Sequence, residues 1–220
     1  MAKKLSGKRG AGRGKGQKGN RAEDSRAAIE RSILELSGER GYANLTMAEL
    51  LKRAGSNRSR FYATWTGKED CFASAYGRAA GELEDRLLGA GGTDVDWDTG
   101  LAAALVELAD FTAESPELAV GLMGEVRVAG GPALRKHDQV LGRLTGALER
   151  GRREPRVIAP PPATARFVLR AIEAAALRNV VRRTRLVEDL PDLLFLALVY
   201  YRGPAAARRA AARLAAGAWP

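Results

Sequence analysis

The sequence predicts an all-α protein, and three observations support this fold class. From residue 24 onward apolar residues recur at helical spacing, and no segment alternates apolar and polar residues over the length of a strand. Prolines stand where the first turns of helices are expected, and glycines follow the ends of the apolar patterns. Hydrophobic residues make up 45% of the 220 residues, which is ample for a real core. The length fits a small N-terminal domain followed by a larger one.

The N-terminal segment is strongly basic and has almost nothing to bury. Residues 1–21 carry eight positive charges and no acidic residue, within a formal net charge of +10. The rest of the chain, with 28 basic and 26 acidic residues, is nearly neutral. We therefore predict that residues 1–21 form a disordered basic arm. Such an arm either keeps the protein soluble or binds DNA in a salt-dependent way.

Four helices are predicted in the N-terminal part, each with a recognisable start. Asp24 or Ser25 caps the first helix. A capping box of Thr46 and Glu49 begins the second, and Asn57 caps the third. The predicted spans are about 25–40, 47–53, 58–64 and 68–88. The second and third helices with their short turn form a helix-turn-helix, so we predict such a domain over residues 22–70, linked onward by the fourth helix.

The second region, residues 89–220, is predicted to consist of helices after a glycine-rich break at 89–92. Three prolines stand at expected first turns: Pro116, Pro132 and Pro204. The predicted spans are about 98–114, 116–128, 132–150, 163–183, 189–202 and 204–217. Residues 151–162, with three consecutive prolines, form the longest predicted loop of this region.

The third predicted helix has two chemically different sides. Phe61 and Trp65 share one side and are expected to pack against the two preceding helices. The other side is small, basic and hydrogen-bonding, as a helix in a DNA major groove requires; the candidates are Arg58, Ser59, Arg60, Tyr62, Ala63 and Thr64. Arginine can bind guanine O6 and N7 with two parallel hydrogen bonds, and an alanine methyl can meet a thymine methyl. The alternative to DNA contact is that this side of the helix is an ordinary solvent-exposed surface.

Two further residues are placed at or beside helix N-termini. Thr46 precedes the second helix and Lys68 begins the fourth. Free N–H groups and the helix dipole attract phosphate at such positions. We therefore add Thr46 and Lys68 to the predicted DNA-binding set, although Thr46 can also act as a cap alone.

Three stretches between residues 26 and 76 resemble the DNA-binding domain of the TetR family of transcriptional regulators. They are "GERGY" at the end of the first helix, "LTMAELLKRAG", and "SNRSRFYATWTGKEDCF". The chain keeps the Ala-Gly step, the tyrosine, the following aromatic and the Lys-Glu step of that family at Ala54-Gly55, Tyr62, Trp65 and Lys68-Glu69. The chain departs from the family at four positions. Ser37 stands where the family usually has phenylalanine, and Leu51 where it usually has alanine. Arg60 replaces a small or polar residue, and Thr64 replaces a histidine. The base preference of the family is therefore not carried over.

The resemblance implies a helical C-terminal domain that binds a small ligand and dimerises through its last long helices. It also implies a homodimer that binds double-stranded DNA at an operator, which we expect to be palindromic. Several residues can line a ligand cavity or instead fill the core, and the single histidine can lie at a cavity or at the surface; these candidates are Trp97, Phe111, Met123, His137 and Phe167.

The segment "DLLFLALVYY" is hydrophobic all the way round, which supports dimerisation independently. One side of such a helix can face its own domain, and the simplest cover for the other side is a partner subunit. The helix at 163–183, rich in small and branched apolar residues, is expected to pack beside it. The predicted dimer interface contains Ala171, Ala175, Val180, Leu194, Leu198 and Tyr201.

The remaining chemistry of the sequence argues against other classes of protein. Cys71 is the only cysteine, so an intrachain disulfide is excluded; a reducing, cytoplasmic location fits, with Cys71 as a small buried residue. No cluster has metal-ligand spacing and no catalytic constellation is evident, so we predict no metal, no cofactor and no enzymatic activity. The longest apolar run, Leu193–Tyr201, is too short to cross a membrane, and no apolar stretch follows the N-terminal charges as in a secretory signal.

The sequence is therefore interpreted as that of a DNA-binding transcriptional regulator, a repressor released from its operator by a ligand. The alternative is a regulator of the same fold that lacks ligand control, or that uses its arm for non-specific DNA binding.

Overall fold

The computed structural model describes residues 14–90, 92, 95–153 and 159–217, and side chains from Glu23 onward. The described residues contain helices and no strands, which confirms the predicted fold class. The helices are α1 (Gly14–Arg40), α2 (Met47–Arg53), α3 (Arg58–Tyr62), α4 (Lys68–Gly89), α5 (Trp97–Glu114), α6 (Pro116–Val120), α7 (Val126–Ala129), α8 (Gly131–Glu149), α9 (Thr164–Arg182) and α10 (Leu190–Ala215). Single 3-10 turns lie at Tyr42–Asn44, Arg150–Arg153 and Leu186–Glu188.

Helix α1 begins well before its predicted start. The prediction of a cap at Asp24 or Ser25 was wrong, because the helix runs from Gly14 through both residues to Arg40. Residues 14–21 of the predicted disordered arm are therefore helical, while residues 1–13 lie outside the described residues. Extending an existing helix adds one backbone hydrogen bond per residue without a new nucleation cost, so even a glycine-rich segment can continue it.

The other predicted starts agree closely with the structure. The capping box is confirmed: the Thr46 hydroxyl accepts from the Glu49 amide, and the Glu49 carboxylate accepts from the Thr46 amide. Asn57 caps α3 by accepting a hydrogen bond from the Arg60 amide. Helix α3 ends at Tyr62, two residues before its predicted end.

One predicted span in the second region has a different form in the structure. The span predicted at 116–128 consists of α6, a π-helical turn at Gly121–Glu125 and α7, so it is one helical path with a wider turn inside. The two helices predicted at 189–202 and 204–217 are confirmed, because α10 consists of two helical parts that meet at a break at Gly203, whose φ of 75° is non-helical. The break precedes Pro204, which lacks the N–H that a continuous helix would use there.

Two glycines let α1 lie against the helical path of α6 at very short distance. A Cβ atom at Gly38 would overlap the carbonyl oxygen of Glu117, and one at Gly121 would overlap that of Leu34. Next to this crossing, the backbone N–H of Tyr42 donates to a Glu125 carboxylate oxygen over 2.7 Å. The N-terminal helices are thus joined to the C-terminal ones by close backbone packing, and the buried residues of both form one continuous core.

Candidate nucleic-acid interface and ligand cavity

The inner side of the helix-turn-helix is held by two aromatic side chains. Phe61 and Trp65 are buried, with ring centroids 5.3 Å apart, as predicted from their spacing on one side of the third helix. Because both rings belong to the core, the short helix α3 is fixed in orientation despite having only five residues.

The outer side of α3 and the residue stretch that follows it are exposed. Exposed side chains are Arg58, Ser59, Arg60, Tyr62, Ala63 and Thr64, and the Tyr62 ring is 57% exposed. Among the described residues, no side-chain hydrogen bond or ion pair engages Arg58 or Arg60. Other arginines of this domain are paired: Arg40 lies 2.5 Å from Glu49, and Arg53 forms two 2.8 Å hydrogen bonds with Glu39. The guanidinium groups of α3 are therefore available to an external partner.

Thr46 and Lys68 are engaged inside the protein. The Thr46 hydroxyl donates to the Glu49 carboxylate over 2.7 Å, so both residues complete the capping box. The Lys68 ammonium donates to the carbonyl oxygens of Tyr42 and Leu45 over 2.9 and 3.2 Å and lies 4.4 Å from the centre of the Tyr42 ring. Lys68 thus ties the start of α4 to the loop before α2, and these two hydrogen bonds use two of its three N–H donors.

A cavity of about 100 Å³ lies between α4, α8 and α9. Met123 and His137, two of the predicted pocket residues, lie on its wall. Most of the wall is aliphatic; these residues are Ala80, Leu83, Leu87, Leu108, Leu122, Val140, Leu141, Leu144, Leu169 and Ile172. Three polar residues, Tyr76, Glu84 and Glu173, complete the lining. The wall is thus largely apolar, with few polar groups.

His137 is the centre of the polar corner of this cavity. Its Nδ1 lies 2.8 Å from the Tyr76 hydroxyl, and its Nε2 lies 2.9 Å from an Arg170 guanidinium nitrogen. Burial lowers the pKa of His137, and the neighbouring Glu173 only partly offsets this effect. Burial also raises the pKa of the Tyr76 hydroxyl. Both rings are therefore neutral around pH 7, and they link α4 to α8 through a hydrogen bond inside the protein.

A second cavity, of about 350 Å³, adjoins the first. The two cavities have five aliphatic wall residues in common, which are Leu87, Leu108, Leu144, Leu169 and Ile172. Trp97, a third predicted pocket residue, lies on the wall of the second cavity, and its ring packs 5.1 Å from that of Tyr201. The two cavities are therefore neighbours across these aliphatic side chains.

The other two predicted pocket residues have different surroundings. Phe167 was wrongly assigned to a pocket: it stands on the outer side of α9 and is 64% exposed. Phe111 is buried beneath the Arg86 guanidinium, at 5.8 Å from its ring centre, and lines neither cavity. Phe111 therefore fills the core, which is one of the two alternatives that the sequence left open.

Sequence reasoning missed the polar residues of the cavity other than His137. Glu84 is buried, with both carboxylate oxygens 2.6 Å from Arg143. Glu173 is buried on α9, and Tyr76 on α4. A signal existed for the glutamates, because each stands at the apolar side of a helix, three or four residues from buried or cavity-lining aliphatic residues.

The predicted dimer residues of α10 are corrected by their burial. Leu194, Leu198 and Tyr201 are completely buried inside the same chain, so these side chains cannot face a partner subunit. The α9 candidates are more accessible: Ala171 is exposed, and Ala175 and Val180 are half-buried. Exposed apolar residues on α9 follow the spacing of one helix side, as Phe167, Ala171, Ala174 and Val181. The apolar stripe, by which we mean these four residues, is the open face of the last helices.

The described fold is all-α and contains a helix-turn-helix whose outer side, on α3, is exposed. Residues 31–75 match the family model described as bacterial regulatory proteins of the tetR family, so the resemblance to the TetR family is confirmed. No curated protein sequence matches the chain. No described helix has the length and apolar character needed to cross a membrane, and no group of three or more His, Cys, Asp or Glu in the described part is arranged to hold a metal ion.

Several solved structures share the fold over most of their length. The fatty acid degradation regulator FadR from Bacillus halodurans is 17% identical and superimposes with a TM-score of 0.70, covering 79% of this chain and 94% of that one. The transcriptional regulator FadR from Bacillus subtilis, in complex with stearoyl-CoA, is 19% identical with a TM-score of 0.68, covering 77% and 96%. A gamma-butyrolactone receptor described as ArpA-like is 20% identical with a TM-score of 0.68, covering 90% and 99%.

Proposed function

We propose that this protein is a sequence-specific transcriptional regulator, a repressor that binds a palindromic DNA operator as a homodimer and is released by a small-molecule effector. The observation that carries the proposal is the outer side of α3, where Arg58 and Arg60 are exposed and unpaired beside paired arginines of the same domain. An unpaired arginine on a rigid helix retains its full set of donors for base edges and phosphates.

Within this proposal the DNA-contacting residues have different roles. Arg60 reads a base, and Arg58, Tyr62 and Thr64 contact phosphate or neighbouring base edges, while the small side chains of Ser59 and Ala63 permit close approach. Thr46 and Lys68 hold the two helices in position, and any phosphate contact uses their remaining donors. The basic N-terminal segment adds sequence-independent attraction to the DNA.

Helix α4 is the proposed connection between the cavity and the DNA. Its first residue is tied to the loop before α2 through Lys68, and further along it lines the cavity with Tyr76 and Glu84. It is held to α8 at Ala73, whose carbonyl accepts from the Lys136 ammonium over 2.8 Å, and through the Tyr76–His137 hydrogen bond. A ligand that separates α4 from α8 would therefore shift the start of α4 and the orientation of α3.

Dimerisation is assigned to the apolar stripe of α9, together with the exposed side of α10. Phe167 and Val181 are 64% and 65% exposed, and Tyr200 on α10 is 45% exposed. Large apolar side chains grouped on one face favour burial against a second copy, whose two-fold symmetry would match a palindromic operator.

Effector control is supported by what similar folds bind. The FadR neighbour from Bacillus subtilis was solved with stearoyl-CoA, and another neighbour is a gamma-butyrolactone receptor. The cavity beside α4 supplies the corresponding space here. The alternative, a regulator without ligand control or one that binds DNA non-specifically through its arm, predicts operator binding unchanged by any compound, or no operator at all.

Selection of DNA from a random pool by the purified protein tests the proposal. We expect a palindromic consensus sequence. Deleting residues 1–13 should weaken binding to every DNA and flatten the dependence of log K on log salt, while the consensus stays unchanged. If the selected pool has no consensus and the deletion abolishes binding, the arm-dependent alternative holds.

A further inference from the structure

Glu173, a residue of the cavity wall, has one carboxylate oxygen without a hydrogen-bond partner among the described residues. Glu173 is 9% exposed, and its Oε2 accepts from Arg127 over 3.0 Å and from Arg170 over 3.2 Å. Its Oε1 is buried without a hydrogen bond. A buried polar atom without a partner costs free energy, so it marks a position where a ligand can supply a donor. Oε1 has almost no accessible surface, so a ligand donor reaches it only when the side chains beside it move.

The nearest group to this oxygen, His137, does not satisfy it. Nε2 of His137 lies 3.2 Å from Oε1, which would permit a hydrogen bond if Nε2 carried a proton. Arg170 can only donate, and its guanidinium nitrogen lies 2.9 Å from the same Nε2, so Nε2 must accept. The single proton of the neutral ring is then on Nδ1, where it is donated to the Tyr76 hydroxyl. Oε1 therefore faces the lone-pair side of the imidazole.

The charge of Glu173 is already balanced. Two guanidinium groups contact its Oε2, and Arg170 also contacts Asp138 over 3.1 Å. A cationic ligand would be repelled by these arginines, and an anionic ligand would meet the unpaired oxygen directly. A neutral donor avoids both penalties.

We propose that the effector is an uncharged, largely apolar molecule that carries a hydroxyl group, which donates its hydrogen bond to Glu173 Oε1. This inference rests on the proposed function and names the ligand class of the cavity. The cavity of about 100 Å³ accommodates only a small or slender apolar body. A longer tail can extend toward the adjoining cavity, because the two cavities share five aliphatic wall residues.

Binding of four compounds with one tail and different head groups tests the ligand class. The probes are 1-hexanol, 1-methoxyhexane, hexanoate and hexylammonium, titrated calorimetrically into the full-length protein. We expect 1-hexanol to bind at least about tenfold more tightly than its methyl ether, because only the alcohol pairs Oε1, and also more tightly than both ions. Equal affinities of alcohol and ether would overturn the proposal, since the hydroxyl proton of the alcohol would then contribute nothing to binding. Tighter binding of either ion, or no detectable binding of the alcohol, would also overturn it.

Two matched variants of the cavity wall locate the effect. In Glu173→Gln, the amide oxygen faces the two arginines and the amide N–H takes the place of Oε1, so the preference for the alcohol should be lost or inverted. In Glu84→Gln the preference should persist, because both Glu84 oxygens are already held by Arg143. An unchanged preference in folded Glu173→Gln would disprove the assignment to Glu173, and the wild-type series remains decisive if that variant does not fold.

The same compounds, added to the complex with the selected operator, separate this inference from the proposed function. Release of DNA by 1-hexanol but not by its ether supports both. Selective binding without release leaves the ligand class intact and removes effector control. Unselective binding, with release of the operator by a different compound, overturns the ligand class and leaves the regulator intact.

Discussion

Helices α3 and α10 show how differently an amphipathic and a uniformly apolar helix can be interpreted from sequence. In α3 the buried Phe61 and the exposed Arg58 and Arg60 lie where the pattern predicts. In α10 the residues expected to face a partner, including Leu194 and Leu198, are completely buried in their own chain. Charged residues identify the outer side of a helix, whereas an all-apolar helix offers no such reference.

The cover of α10 comes from α5, which packs along it within the same chain. Tyr201 lies against Trp97, and burial together with the nearby Glu149 raises the pKa of Tyr201 to about 12. Arg202 pairs with Asp98 of α5 over 2.8 Å. The apolar side chains of α10 are thus largely buried by their own chain, and the exposed apolar side chains lie on α9.

The largest expected effect is on the free energy of unfolding, and it distinguishes the buried side of α10 from the exposed apolar stripe of α9. Leu194→Glu should lower the free energy of unfolding by roughly 3–5 kcal/mol, because it buries an unpaired charge. Phe167→Glu should leave the fold intact and weaken self-association. Denaturant unfolding and sedimentation velocity measure the two effects, with the exposed Val128→Glu as control. If Phe167→Glu and the wild type sediment alike, the stripe is not the dimer interface.

The next prediction concerns the glycine crossing that joins the two regions. Gly38→Ala should destabilise the fold by about 2–3 kcal/mol, because its Cβ would overlap the backbone of Glu117. Gly81→Ala, in α4 with open space around it, should be neutral or stabilise by about 0.5–1 kcal/mol. Thermal and denaturant unfolding of both variants would check this, and equal stabilities would show that α1 and α6 can separate without cost.

Base reading by α3 is expected to have a somewhat smaller energetic effect. Arg60→Ala should weaken binding to the selected operator by about 1–3 kcal/mol, with much less effect on random DNA. Arg53→Ala is the matched control, since that guanidinium is already held by Glu39. Fluorescence anisotropy with both DNAs measures the difference. An equal loss on both would make Arg60 a phosphate contact.

The smallest effect is the pH dependence of the cavity. His137 is the only histidine, and burial lowers its pKa below the ordinary value of 6.5 despite Glu173. The unfolded chain therefore binds a proton that the folded chain does not, and stability present above about pH 6.5 is lost as the pH falls. The slope should stay below about 1.4 kcal/mol per pH unit. His137→Gln should show a flatter profile between about pH 7.5 and 5.5; an unchanged slope would assign the titration elsewhere.

How well the sequence predicts each element depends on how far apart in the sequence the interacting residues are. The capping box of Thr46 and Glu49 and the cap at Asn57 act within three residues, and both are confirmed. The start of α1 was missed because helix extension depends on the neighbouring helix and not on a local cap. Phe167 was misjudged because it is exposed, whereas Phe111 fills the core, which is one of the two alternatives that the sequence left open.

The sequence by itself determined the all-α class, the helix-turn-helix and the chemical character of the outer side of α3. These features depend on residues a few positions apart, whose backbone geometry follows from local sterics and hydrogen bonding. Only the tertiary structure decided which side of α10 is covered and which polar groups meet at the cavity. Tyr76 and His137 are 61 residues apart, and His137 and Arg170 are 33 apart. Their contact depends on how α4, α8 and α9 pack, and no local pattern specifies which of several apolar packings buries the most surface without strain.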